Sequence, residues 1–170
     1  MLSEEKTREE LRQKVVDTTI NDVTLLSTDY CNHLGEVVMM ISMVADMPEM
    51  IEDVKSWQPK TYQEHFNGSG LSIGPLAIQS YGHCEAKFRA PFDSEVSAFN
   101  ARVGAGSTEL IAAVETNDTE FVSFSANTLS RELQEIIDRI AAIANGAILD
   151  AMTPEDEKAS LNQDDIDAMF

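Results

Sequence analysis

Asp17 with Asn21, and Glu132 with Gln134 and Glu135 beside it, set carboxylate and amide groups within about one helical turn of each other. At that spacing two polar groups can hold a water for attack on an aspartyl phosphate. Polar residues three or four apart line every exposed helix, so an ordinary solvated surface is the default for both sets. Asn32, His33 and Glu36 form a second group, with His65, His83, Cys84 and Glu85 elsewhere in the chain as further nitrogen, sulfur and oxygen donors. Metal-binding bundles need repeated ligand pairs at fixed helical spacing, and only His33 and Glu36 meet that condition, which points to a surface or half-buried polar contact and to no metal site. Trp57, Tyr62, His65 and Phe66 gather aromatic bulk beside Pro59. Core packing is the usual role of such a cluster, and a partner-binding patch is the alternative if it is exposed. Met39, Met40, Met43, Met47 and Met50 read as core or dimer seam.

The densest signal lies further on, in Leu161–Phe170. Ser160 with Gln163 three residues later forms a capping box, and Asp164 and Asp165 occupy the positive first turn of the helix it would start. Ile166, Met169 and Phe170 then share one face at i, i+3 and i+4, with Leu161 placed to staple the start. A helix this short is marginal in water, so it would order only against an apolar groove with basic rims.

These residues carry a resemblance. Leu161–Phe170 resembles the peptide by which the flagellar switch proteins FliM and FliY bind phosphorylated CheY, matching its pattern at Leu161, Gln163, Asp164, Ile166, Asp167 and Ala168. Asn162, Asp165, Met169 and Phe170 depart from it while keeping polarity or apolar bulk. The layout of the chain is also similar to that of the chemotaxis phosphatase CheZ, a dimeric bundle of long helices followed by a linker and an acidic CheY-binding helix. CheZ-like proteins carry an Asp and a Gln one helical turn apart in a recognisable stretch that this sequence lacks, so the resemblance assigns no catalytic residue. It implies a response-regulator partner docking on Leu161, Gln163, Asp164, Asp165, Ile166, Asp167, Ala168, Met169 and Phe170. It implies no cofactor for this chain; any Mg2+ would sit on the receiver partner.

The elements that must position these groups read as helices. Ser3 followed by Glu4 and Glu5 is a helix start, and Val16, Ile20, Val23, Leu26, Tyr30, Leu34, Val37, Ile41 and Val44 recur in steps of three and four, predicting one long amphipathic helix up to Pro48, with Gly35 and the β-branched group Thr18, Thr19 and Ile20 as places for a bend. Pro48 opens a second helix over 47–57, closed by Pro59. A short helix around Tyr62–Phe66 leads into a turn-rich segment with Gly68, Gly70, Gly74 and Pro75. A third long stretch runs from Leu76 to about Glu115, divided or kinked at Pro91 and Gly104. Asn117 and Asp118 supply the turn and N-cap of the last long helix, which carries Phe121, Leu129, Leu133, Ile136, Ile137, Ile140, Ile143 and Ile148 toward a partner and ends near Met152. No hairpin dipeptide separates alternating strands, so the expected fold is all-α: long antiparallel helices forming a hairpin or bundle, completed by homodimerisation. The expected division is a helical body over 1–152, an acidic linker over 153–160 and the response-regulator-binding helix over 161–170.

Composition narrows the function. Twelve Lys and Arg against thirty Asp and Glu in 170 residues give a formal charge of -18, which repels nucleic acid and anionic lipid head groups. Cys31 and Cys84 lack Cys-x-x-Cys spacing and suit a reducing compartment. The apolar run Val37–Ala45 is far shorter than the ~20 residues that cross a bilayer, so a cytoplasmic protein without membrane insertion is expected. Capture of a CheY-like receiver in chemotaxis or motility signalling is the function expected. A CheZ-like aspartyl-phosphate phosphatase, or a structural helical protein without a receiver partner, is the alternative.

Overall fold

The computed structural model describes residues 2–148. Within them the chain is all-α: α1 (Leu2–Lys14), α2 (Tyr30–Val44), a 3₁₀ turn (Pro48–Met50) running directly into α3 (Ile51–Ser56), α4 (Tyr62–Gly68), α5 (Gly74–Gly82), α6 (Ala86–Glu115) and α7 (Thr119–Ala144). The long helices α6 and α7 are joined by three residues and pack along each other as an antiparallel hairpin, and α2 lies against α7. The short helices α3 and α4 fold over α2, with α3 also reaching α6.

α7 follows its sequence closely. Asp118 is its N-cap and accepts a hydrogen bond from Phe121 N, while Asn117 takes the left-handed conformation (φ 57°) that turns the chain out of α6. Leu129, Leu133, Ile136, Ile137, Ile140 and Ile143 are buried, as their spacing demands. Phe121 departs from that expectation and stays half exposed. The helix also ends at Ala144, earlier than Met152, because Gly146 (φ 106°) takes a conformation closed to other residues.

The long first helix does not form. The chain leaves α1 at Lys14 and re-enters a helix only at Tyr30. Between them, short polar side chains capture the backbone that a helix would need. Thr18 Oγ1 accepts from Ile20 N, and Asn21 Oδ1 accepts from both Val23 N (2.9 Å) and Thr24 N (3.0 Å). Ile20 and Ser27 pair as an isolated bridge, with Asn21 N donating to Leu26 O at 2.9 Å. Leu25 is held at φ 64°, a strained position for a branched side chain that full burial of the residue compensates. Thr24 Oγ1 donates to Ala144 O at 2.6 Å, satisfying one of the orphan carbonyls at the end of α7. The apolar spacing across this stretch was therefore only half meaningful: Ile20, Leu26 and Tyr30 are core, but Val16 and Val23 face solvent.

The third stretch is also redrawn. The break falls at His83–Glu85, not at Pro91 or Gly104, both of which lie inside α6. Pro91 sits one turn into the helix and removes a single bond, to the carbonyl of exposed Lys87, while burying its ring. The second helix is shorter than its expected span, because Pro48–Met50 forms a 3₁₀ turn ahead of α3.

Candidate functional site

The residues of the described body that converge most closely are aromatic rings and histidines. α4 owes its start to a full capping box, in which Thr61 Oγ1 accepts from Glu64 N and Glu64 Oε1 accepts from Thr61 N. This fixes Tyr62, His65 and Phe66 on the side facing α2. α2 presents Tyr30 and His33 one turn apart. Trp57, at the C-terminal end of α3, lays its indole on the His33 ring, with centroids 4.9 Å apart and 19° between planes. Tyr62 stacks on Tyr81 of α5 and meets Phe92 of α6 edge-on. His65 meets Tyr30 edge-on at 5.7 Å and lies 6.0 Å from His33.

Hydrogen bonds lock this cluster to the loop that crosses it. Lys60 N donates to His33 Nε2 at 3.1 Å and Tyr30 Oη donates to Lys60 O, so both backbone groups of one residue are held from α2. Ser27 N donates to Tyr62 Oη at 2.9 Å, tying the α1–α2 loop to α4. Burial lowers the pKa of His33, with His65 and Lys60 acting in the same direction and Glu36 opposing. His65 is lowered in the same way, by burial and by Lys60. Burial pushes the Tyr30 hydroxyl up to about 12, helped by Cys31, Glu64 and Asp93. All three groups are therefore neutral near pH 7.

The groups singled out by sequence fare differently. Asp17 and Asn21 lie in the α1–α2 loop rather than on a helix, and Asn21 spends its carbonyl on its own turn. Glu132 is paired with Arg102 Nε at 2.6 Å, and Gln134 Nε2 donates to exposed Asp138 at 3.0 Å. His33 Nδ1 of the buried ring lies 3.8 Å from a carboxylate oxygen of exposed Glu36, too far for a hydrogen bond. His83, Cys84 and Glu85 sit at the α5–α6 break, where Glu85 pairs with Arg12 of α1. Among the described residues no group of three or more His, Cys, Asp and Glu side chains is arranged to hold a metal ion. Tyr62 and Phe66 are buried and Trp57 and His65 partly so, which makes this cluster mainly core. Met39 is exposed, whereas Met40 and Met50 pack against the core.

Sequence reasoning missed Lys60, whose side-chain type says nothing about its doubly held backbone. It also missed Tyr81, Asp93 and Asn100, which join Tyr30 and the Pro59–Glu64 segment around a cleft of about 410 Å³ between α4 and α6. The peptide residues Leu161, Gln163, Asp164, Asp165, Ile166, Asp167, Ala168, Met169 and Phe170 lie outside the described residues. No described helix is long and apolar enough to cross a membrane. No protein-family model matches the chain, and no curated protein or solved structure matches it either.

Proposed function

We propose that this chain is an interaction protein of chemotaxis or motility signalling, capturing a CheY-like response regulator through Leu161–Phe170 while the helical body serves as the scaffold that tethers the peptide. The observation that supports this reading is the agreement at Leu161, Gln163, Asp164, Ile166, Asp167 and Ala168 with the CheY-binding peptide of the switch proteins. Ile166, Met169 and Phe170 offer one apolar face, and Asp164, Asp165 and Asp167 surround it with negative charge, which suits an apolar groove with basic rims. Ordering so short a helix costs conformational entropy that burial of the apolar face repays only on a partner. Tethering to the body converts later encounters into intramolecular ones at raised local concentration.

Capture is preferred to dephosphorylation because one member of each polar set that would position a water is engaged within the fold. Asn21 is committed to its turn and Glu132 to Arg102. A cytoplasmic setting and a homodimeric body belong to the same proposal. Titration of a phosphorylated CheY-like receiver with the full chain, and with a chain ending at Ala159, tests it. Saturable binding by the first and not the second is the expected result. Timing phosphate release in the same mixtures separates capture from catalysis, with release unchanged by the full chain as the expected outcome.

A further inference from the structure

Two asparagines of the chain are followed by glycine, Asn67 by Gly68 and Asn145 by Gly146. The backbone nitrogen after an asparagine can close a five-membered ring on the side-chain Cγ, and a glycine there leaves that nitrogen unscreened by a Cβ. Ring closure has two local conditions. The nitrogen must be released from its hydrogen bond, and the asparagine ψ must leave the helical range so that the nitrogen faces Cγ.

The fold denies both at Asn145. Gly146 N donates to Ile143 O at 3.0 Å and Ala147 N to Ala142 O at 2.9 Å, the paired bonds of a Schellman end, with Gly146 at φ 106°. Asn145 itself stands at ψ 6°. This end is anchored in the core, because Ile143 and Ala144 are buried and Thr24 Oγ1 donates to Ala144 O. Opening it withdraws apolar side chains from their packing.

Asn67 is placed differently. With Gly68 it ends α4, a helix of seven residues, and both residues are exposed. A Cβ on Gly68 would meet nothing within 4 Å, so the turn has room to open. A helical bond at the end of so short a segment breaks at low cost, since few others depend on it and Asn67 and Gly68 withdraw no buried surface.

We propose that Asn67 is a site of spontaneous deamidation in the folded chain, reached by local opening of α4, and that the Schellman end of α7 protects Asn145. Gly68 N, having lost its proton to hydroxide, forms a bond to Asn67 Cγ. The Cγ–Nδ2 bond breaks and the amide leaves as ammonia, closing a succinimide. Water then adds at Cγ to give isoaspartate's isomer, aspartate, through cleavage of the Gly68 backbone carbonyl arm of the ring, or at the Asn67 carbonyl carbon to give isoaspartate. One water is consumed and one ammonia released, with no change of oxidation state. Isoaspartate runs the backbone through an extra methylene directly after Phe66, whose carbonyl accepts from Ser69 Oγ at 3.1 Å and lies close against Gly74 at the start of α5.

The full chain is held at pH 8 in native buffer and in urea, then digested with trypsin beside an unaged sample. Peptides 61–87 and 140–158 carry Asn67 and Asn145 separately and are followed by mass and by isoaspartate methyltransferase labelling. In native buffer, isoaspartate is expected to build up at Asn67 about tenfold faster than at Asn145, or more. In urea the two rates are expected to converge, since both sites are Asn-Gly. Gly68→Ala, which adds a Cβ beside the attacking nitrogen and favours the helix, is expected to slow the native reaction at Asn67 about tenfold. Thr61→Ala removes the capping box that starts α4, and is expected to speed Asn67 while leaving Asn145 unchanged. Equal native rates at the two sites would show that modification waits on global unfolding and would overturn the proposal. A native rate at Asn67 untouched by Thr61→Ala, or no isoaspartate in native peptide 61–87 once the urea sample has converted, would overturn it equally.

Discussion

The imidazole of His33 lies flat on the indole of Trp57 and, at the same time, accepts the backbone N–H of Lys60 through Nε2. One neutral ring thereby fixes both the end of α3 and the loop leading into α4. The bond needs the unprotonated nitrogen, because an imidazolium has no acceptor.

Stability should fall in mild acid for this reason. Burial lowers the pKa of both His33 and His65 in the folded chain from the ordinary 6.5. Below that value the unfolded chain binds more protons than the folded one, so stability is full above pH 6.5 and declines as the pH drops toward the folded-state values. Glu36, beside His33, opposes the effect, while Lys60 reinforces it. Melting temperatures between pH 7.5 and 5 check this. His33→Gln should flatten the decline; an unchanged slope would place the acid sensitivity in other groups.

Tyr62→Phe should cost about 1–3 kcal/mol, because it leaves the buried Ser27 N–H without its acceptor. Tyr81→Phe removes a hydroxyl bonded to exposed Asp93 and should cost less than 1 kcal/mol, roughly, since water replaces the partner. Urea denaturation of the two variants measures the difference directly.

Two glycines of α6 should respond with opposite signs. A Cβ on Gly106 would overlap the Leu129 side chain of α7 and come within 2.7 Å of its Cδ2. Gly106→Ala should therefore destabilise the hairpin by about 1–3 kcal/mol. A Cβ on Gly104 meets nothing within 4 Å, so Gly104→Ala should stabilise by about 0.5–1 kcal/mol through helix propensity alone. Denaturant midpoints of both variants test the register of α6 on α7.

The thiols should be inert in the native state. Burial raises Cys84 to about 12 and Cys31 to about 11, with Asp138 and Asp29 adding to the shift at Cys31. The thiolate is the reacting form, so modification by an aromatic disulfide reagent at pH 8 should wait on unfolding. Rapid modification of either thiol in the absence of denaturant would contradict the packing around α2 and the α5–α6 break.

The helices were legible wherever one rule acted alone. Asp118 as N-cap, Pro48 as an opening and the apolar stripe of α7 all read directly from residue type and spacing. The α1–α2 loop was legible only as a place for a bend at Thr18–Ile20, because Ile20, Leu26 and Tyr30 continue a helical spacing while Thr18 and Asn21 divert the backbone locally. Pro91 misled in the other direction, since the loss of one bond beside exposed Lys87 is outweighed by packing along α6. The cleft was invisible in the sequence: Lys60 and Asn100 are ordinary residues far apart in the chain, and only folding brings them to one space. The aromatic cluster was visible as composition, but His33 joins it from α2 across a separation no local pattern records.

Titration of labelled Leu161–Phe170 peptide with CheY-like receiver domains, with and without a phosphoryl mimic, tests receiver binding by these residues most directly. Saturable binding that strengthens with the mimic, and that is lost on Ile166→Ala or Phe170→Ala, is the result predicted. Binding that survives both substitutions, or no binding to any receiver in either state, would contradict it.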